Sequence, residues 1–176
     1  LSKLSSKFEE NIMDNTNDFT HTVETADALA GLPADAIEAA ADAAKVAGKT
    51  GYQFSLHYPS YLPVMQYAEN RALRETLCRA FSTRASELSK PEWDNTNLIN
   101  DILKLKKEEA NMLGFKNFAE LSLATKMADT PEQVSEFLDT LAQRAKPYAE
   151  RDMKELTAHA KSLGLDDMQA WDVGYV

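Results

Sequence analysis

A chain of 176 residues, 44% of them hydrophobic and 27% charged, is one domain's worth of material with enough apolar content for a core. Its net charge of −9 disfavours a nucleic-acid role, because phosphate binding needs a basic stripe, and equally disfavours adhesion to anionic membrane. The single cysteine, Cys78, cannot staple a fold, no stretch approaches the ~20 apolar residues of a membrane span, and no secretory signal opens the chain, so the cytoplasm is the expected compartment.

Leu1, Leu4, Phe8, Ile12, Phe19 and Val23 recur at helical spacing and predict an opening helix through about Glu24. Ser5, Glu9, Asn11, Asp14 and Asn17 form its polar side. The stripe starts at Leu1 without a cap, which predicts a helix cut at its beginning. Asp27, Gly31 and Pro33 signal a turn, and an alanine-rich helix is expected over 34–47, closed by Gly48. Tyr52, Phe54 and Leu56 alternate with Gln53, Ser55 and His57, the pattern of a half-buried strand. A strand needs a partner. The weak candidate is the region 25–32; otherwise the partner lies outside the 176 residues.

In Tyr58-Pro59-Ser60-Tyr61-Leu62-Pro63 each proline disfavours helix at the residue before it, which predicts a loop and a short helix from Pro63 to Ala68. Asn70 caps a helix over 71–87 with Leu73, Leu77, Ala80, Phe81 and Arg84 on one face. Lys90-Pro91 breaks the chain. Asp94 or Asn95 caps a helix over 96–113 that buries Leu98, Ile99, Ile102, Leu105 and Leu113 and stops at Gly114. Asn117 caps a shorter one over 118–126. Thr130-Pro131-Glu132-Gln133 is a capping box. It opens a helix over 131–163, with Val134, Phe137, Leu138, Leu141, Ala145, Met153, Leu156 and Ala160 as its stripe. Pro147 should kink or split it. Trp171-Asp172 has the form of a further helix cap, four residues before the end, so the chain is expected to be a fragment of a longer protein.

Candidate chemistry is sparse. His21 with Glu24, and Glu155 with His159, are spaced to share a metal on one helix face. Each pair offers only two ligands, lacks the H-E-x-x-H pattern, and equally suits surface pairing. His57 follows the strand, placed as a ligand, an acid/base or a hydrogen-bonded loop histidine. Cys78 sits mid-helix, far from a cap that would activate it, as a buried small hydrophobe would. Asp94-Asn95-Thr96-Asn97 lacks the glycine and distal glutamate of a calcium loop. Asp166-Asp167 suits a solvated turn. The aromatic cluster Tyr52, Phe54, Tyr58, Tyr61 and Tyr67 fits either a peptide-binding surface or core packing.

YPSYLPVMQYAENRALRETLCRAFSTRAS, the following run from Asn97 to Pro147, and the ending Trp171-Asp172-Val173-Gly174-Tyr175 together resemble the oligopeptidase A and thimet oligopeptidase family of zinc metallopeptidases. The likeness covers essentially the whole chain and is strongest toward the bacterial oligopeptidase A branch. It implies a mainly α, multi-helical fragment of a two-lobed, neurolysin-like oligopeptidase fold with one short β-strand or hairpin, working on short peptides in a deep channel. It implies zinc in the parent enzyme and none in this chain, because the family's H-E-x-x-H lies downstream of W-D-x-x-Y. No catalytic or metal residue is therefore carried onto this chain, its substrate-binding residues stay unknown, and its helices serve as scaffold and channel wall. The exposed apolar helix faces of such a fragment favour self-association. A stand-alone helical binding module is the other reading the residues allow.

Overall fold

α1 (Ser2–Asp18) forms on the predicted stripe but ends at Asp18 instead of near Glu24. The computed structural model, which describes residues 1–176, places a strand there. Thr20, Thr22 and Val23 are β-branched and stiff at χ1, and β1 (Thr20–Val23) begins with them. The four-residue spacing of Phe19 and Val23 imitates a helical face. β1 pairs antiparallel with β2 (Tyr52–Ser55), His21 opposite Phe54 and Val23 opposite Tyr52. The partner of the predicted strand thus lies within the chain. The region 25–32 proposed for it forms a 3₁₀ turn, Ala26–Leu29. Entry into β2 depends on Gly51, whose φ is +87° and where a Cβ would stand 2.3 Å from the Val23 carbonyl oxygen.

α2 (Ala34–Val46) starts after Pro33 and ends in a wrap in which the Lys49 amide donates to Ala44 O at 2.9 Å. The same wrap recurs at Gly114 and Gly164, where the amides of Phe115 and Leu165 donate to Ala110 O and Ala160 O. α3 (Tyr58–Tyr67) corrects the expected proline loop. Pro59 lies in the first turn, where its missing N–H has no helical partner anyway. Pro63 gives up only the bond to the Pro59 carbonyl, so one helix accommodates both. α4 (Arg71–Ser82) is capped as predicted, Asn70 Oδ1 accepting from the Leu73 amide at 3.2 Å. It stops short of residue 87 because Ala85 turns left-handed at φ +52°. The Ala85 amide donates to Asn15 Oδ1 at 3.0 Å, and its carbonyl accepts from the Asn95 amide at 3.0 Å.

Contacts gather into two compact units. In the unit made of Glu9–Asn95 and His159–Val176, the core is Leu29, Leu32, Ala40, Phe54, Val64, Ala68, Leu73 and Leu77. α1 enters this unit through polar residues. Asn11 and Thr16 are buried, and Asn11 Nδ2 donates to Asn95 Oδ1 at 2.8 Å. Asn11 belongs to the side that the stripe left to solvent; the bond from Nδ2 offsets part of the cost of its burial, while Oδ1 is buried without a partner.

In the unit made of Leu1–Phe8 and Thr96–Ala158 lie α5 (Thr96–Met112), α6 (Phe118–Leu123) and most of α7 (Pro131–Ser162). α6 ends before the predicted 126. Asn117 Oδ1 accepts from the Glu120 amide and Glu120 accepts from the Lys116 amide; Thr130 and Gln133 repeat this exchange at the start of α7. α7 runs on through Pro147 without splitting. Its stripe residues Phe137, Leu138 and Leu141 are 66%, 54% and 54% exposed. The fold is mainly α, with seven helices and one two-stranded sheet.

Candidate functional site

Two constructions stand out, both within the unit that holds the main core. The first is an arginine clamp. Arg74 sits on α4 beside Leu73 and one turn before Leu77, so its side chain points inward, and it is 1% exposed. Such a cation needs an anion and acceptors for its remaining donors. Arg74 Nη2 donates to Asp172 Oδ1 at 2.7 Å, Nε to Trp171 O at 3.2 Å, and Nη1 to Ala68 O at 2.5 Å. Arg71 grips the same carboxylate from the solvent side, Nη2 donating to Oδ2 at 2.7 Å and Nε reaching both oxygens. The Gln169 amide adds a bond to Oδ2 at 2.9 Å. Burial alone would raise the Asp172 pKa; the hydrogen bonds from Arg71 and Arg74, with the Gln169 amide, outweigh it and bring it down to about 2.

The clamp organises the whole W-D-x-x-Y turn. The Arg74 guanidinium lies 4.0 Å from the Tyr175 ring centre and Arg79 lies 4.9 Å from that of Trp171. Asp172 is therefore not the side-chain cap of a new helix. Its carboxylate belongs to the arginines, and its backbone carbonyl accepts from the amides of Tyr175 and Val176. Both carboxylate oxygens of Asp172 are thus engaged by Arg71, Arg74 and the Gln169 amide, which hold it as a buried anion.

The second construction is a groove of about 350 Å³ where α1, the segment Leu56–Tyr58 and the end of α4 converge. Ile12, Met13, Leu56 and Phe81 supply apolar wall, and Arg84 supplies a guanidinium. The Phe81 ring stacks on Tyr61 at 4.3 Å and lies 3.7 Å from the Arg84 guanidinium carbon. Burial, then the neighbouring Cys78, push the Tyr61 hydroxyl up to about 12.

The aromatic cluster separates into roles. Phe54 is buried in the core, and Tyr52 and Tyr61 pack against it. Tyr58 is 62% exposed on the groove wall, and Tyr67 is 49% exposed. His57 is exposed at the same wall. His21 lies on β1, not on a helix, so the helical spacing proposed for it and Glu24 does not arise; burial lowers its pKa. His159 stands near the end of α7, with Ser162 Oγ 3.5 Å from Nδ1. Cys78 is half-buried beside Tyr61. Asn95 is buried against Asn11, and Asp167 hydrogen-bonds Arg71 through its carbonyl and Gln169 through its carboxylate. Arg71 and Arg74 were missed by sequence reasoning. The available signal was a cation at position 74 inside the apolar face of α4.

The chain belongs to peptidase family M3, which matches residues 64–176. It is 48% identical over 178 residues to "Oligopeptidase A" of Haemophilus influenzae and 45% identical over 178 residues to that of Escherichia coli. It is 42% identical over 185 residues to "Probable cytosolic oligopeptidase A" of Arabidopsis thaliana. Each match covers 99% of this chain and 26% of the relative, so the chain spans about a quarter of their length. No three His, Cys, Asp or Glu side chains come together as a metal-holding set, so the residues present do not fit a zinc centre. No helix is long and apolar enough to cross a membrane.

Proposed function

We propose that this chain is a helical section of a zinc-dependent, oligopeptidase A-like endopeptidase that hydrolyses short peptides inside a deep channel. Its helices act as scaffold and channel wall. Zinc and the base that activates water come from other parts of the enzyme, and the section by itself does not hydrolyse peptides. The observation that carries this reading is the similarity to oligopeptidase A across 99% of the chain at 48% identity. The clamp supports it: an ion pair between residues 98 apart in sequence fixes the W-D-x-x-Y turn rigidly to α4. The compartment is the cytoplasm, the ligands are short peptides, and neither nucleic acid nor membrane is a partner.

A second reading, a helical peptide-binding module without hydrolysis, draws on the groove beside Arg84. The gene's reading frame past Val176 separates the two. An H-E-x-x-H on a predicted helix, followed by a further glutamate, is the outcome expected. A stop codon close after Val176 would favour the binding module.

A further inference from the structure

We propose that the groove between α1, Leu56–Tyr58 and the end of α4 is a docking site for the carboxy-terminus of a peptide whose last side chain is bulky and apolar. Charge complementarity is the argument. Arg84 is half-buried, and no carboxylate lies within ion-pair distance of it in a chain that carries 28 acidic residues against 19 basic ones. Glu9 lines the same groove but forms no ion pair with it. Arg84 Nε donates to Phe81 O at 2.9 Å and Nη1 to Thr16 Oγ1 at 2.8 Å. Those bonds fix the guanidinium plane and leave donors for a ligand, since the group carries five N–H bonds in a fork that matches a carboxylate.

The surroundings select the rest of the ligand. Arg84 lies against the Phe81 ring, and Ile12, Met13 and Leu56 stand in the same groove, so an apolar side chain next to the carboxylate finds apolar wall. A volume of about 350 Å³ sits at the small end of the ~300–1,000 Å³ of ligand pockets, room for one bulky side chain with the chain end beside it. Burial lowers the Arg84 pKa, as an under-compensated cation requires. The inference takes from the peptidase reading only that short peptides are the ligands. Because it is measured by binding, absent hydrolysis would leave it standing, and absent binding would leave the hydrolysis reading standing.

The test titrates the chain with a fluorescein-labelled Gly-Phe-Leu tripeptide ending in a free acid, the same peptide amidated, and an amidated peptide carrying an internal Asp. The free acid should bind about tenfold or more tighter than its amide, the range of one hydrogen-bonded charge. Arg84→Gln should erase that preference, with circular dichroism and the melting curve checking the fold. Met13→Glu, at a position 56% exposed, should weaken the free acid severalfold through like charge and leave the fold untouched. Equal binding of acid and amide, no binding at millimolar peptide, or an internal-Asp peptide bound as tightly as the free acid would each overturn the proposal.

Discussion

Arg74 Nη2 and Asp172 Oδ1 stand 2.7 Å apart with both side chains at or below 1% exposure. Placing one charge on α4 beside the core and its counter-charge in the W-D-x-x-Y turn makes each indispensable to the other. Arg71, 39% exposed, shares the carboxylate at lower stakes.

Removing Asp172 therefore leaves a buried guanidinium without an anion. Asp172→Asn should cost about 3–5 kcal/mol in urea unfolding, the range for breaking one side of a buried pair. Arg71→Gln should cost clearly less, because water solvates what it leaves behind. Equal losses for the two variants would show that burial does not govern the clamp.

Acid should weaken the fold in two steps. Burial holds the His21 imidazole below its ordinary 6.5, so the unfolded chain takes up that proton first. Stability is full above pH 6.5 and declines as pH falls below it. Asp172 is held at about 2 against an ordinary 3.8, so its contribution is present above 3.8 and is lost as pH falls toward 2. Urea midpoints measured across this range should show the upper decline vanish in His21→Gln and the lower one shrink in Asp172→Asn. An unchanged upper decline in His21→Gln would assign it elsewhere.

Two glycines three positions apart give a controlled comparison. Both have positive φ, but a Cβ at Gly51 meets the Val23 carbonyl oxygen at 2.3 Å, whereas one at Gly48 meets nothing within 4 Å. Gly48→Ala should cost about 1 kcal/mol, the left-handed penalty alone. Gly51→Ala must also push β1 aside and should cost at least twice that. Matching losses by thermal melting would mean that β1 yields without resistance.

The bare stripe on α7 should drive association. Phe137, Leu138 and Leu141 are all more than half exposed on neighbouring turns, an arrangement that water penalises. Light scattering should show mass rising with concentration, and Leu138→Glu with Leu141→Glu should return the chain to a monomer. A constant monomer mass at high concentration would contradict this.

α2, α5 and α7 were legible because their signals are local: Pro33 before α2, the Thr130–Gln133 box, and closing glycines at 48, 114 and 164. β1 was not, because Phe19 and Val23 keep helical spacing while only the branched residues beside them argue for strand. α3 was hidden by two prolines whose combined cost is a single helical bond. The end of α4 depends on Asn15 and Asn95, and the burial of Arg74 depends on a residue 98 positions away, so no window of local sequence contains the cause. The polar seam of α1 was missed for the same reason, since the partner of buried Asn11 is Asn95, 84 positions away.

The most direct measurement compares the whole gene product with the 176-residue chain for cleavage of an internally quenched short peptide, before and after chelation and zinc return. The longer protein should cleave, stop on chelation and recover with zinc, while the chain alone stays inert. A longer protein that cleaves no short peptide, or that cleaves undiminished after its metal is removed, would contradict a zinc oligopeptidase built on this scaffold.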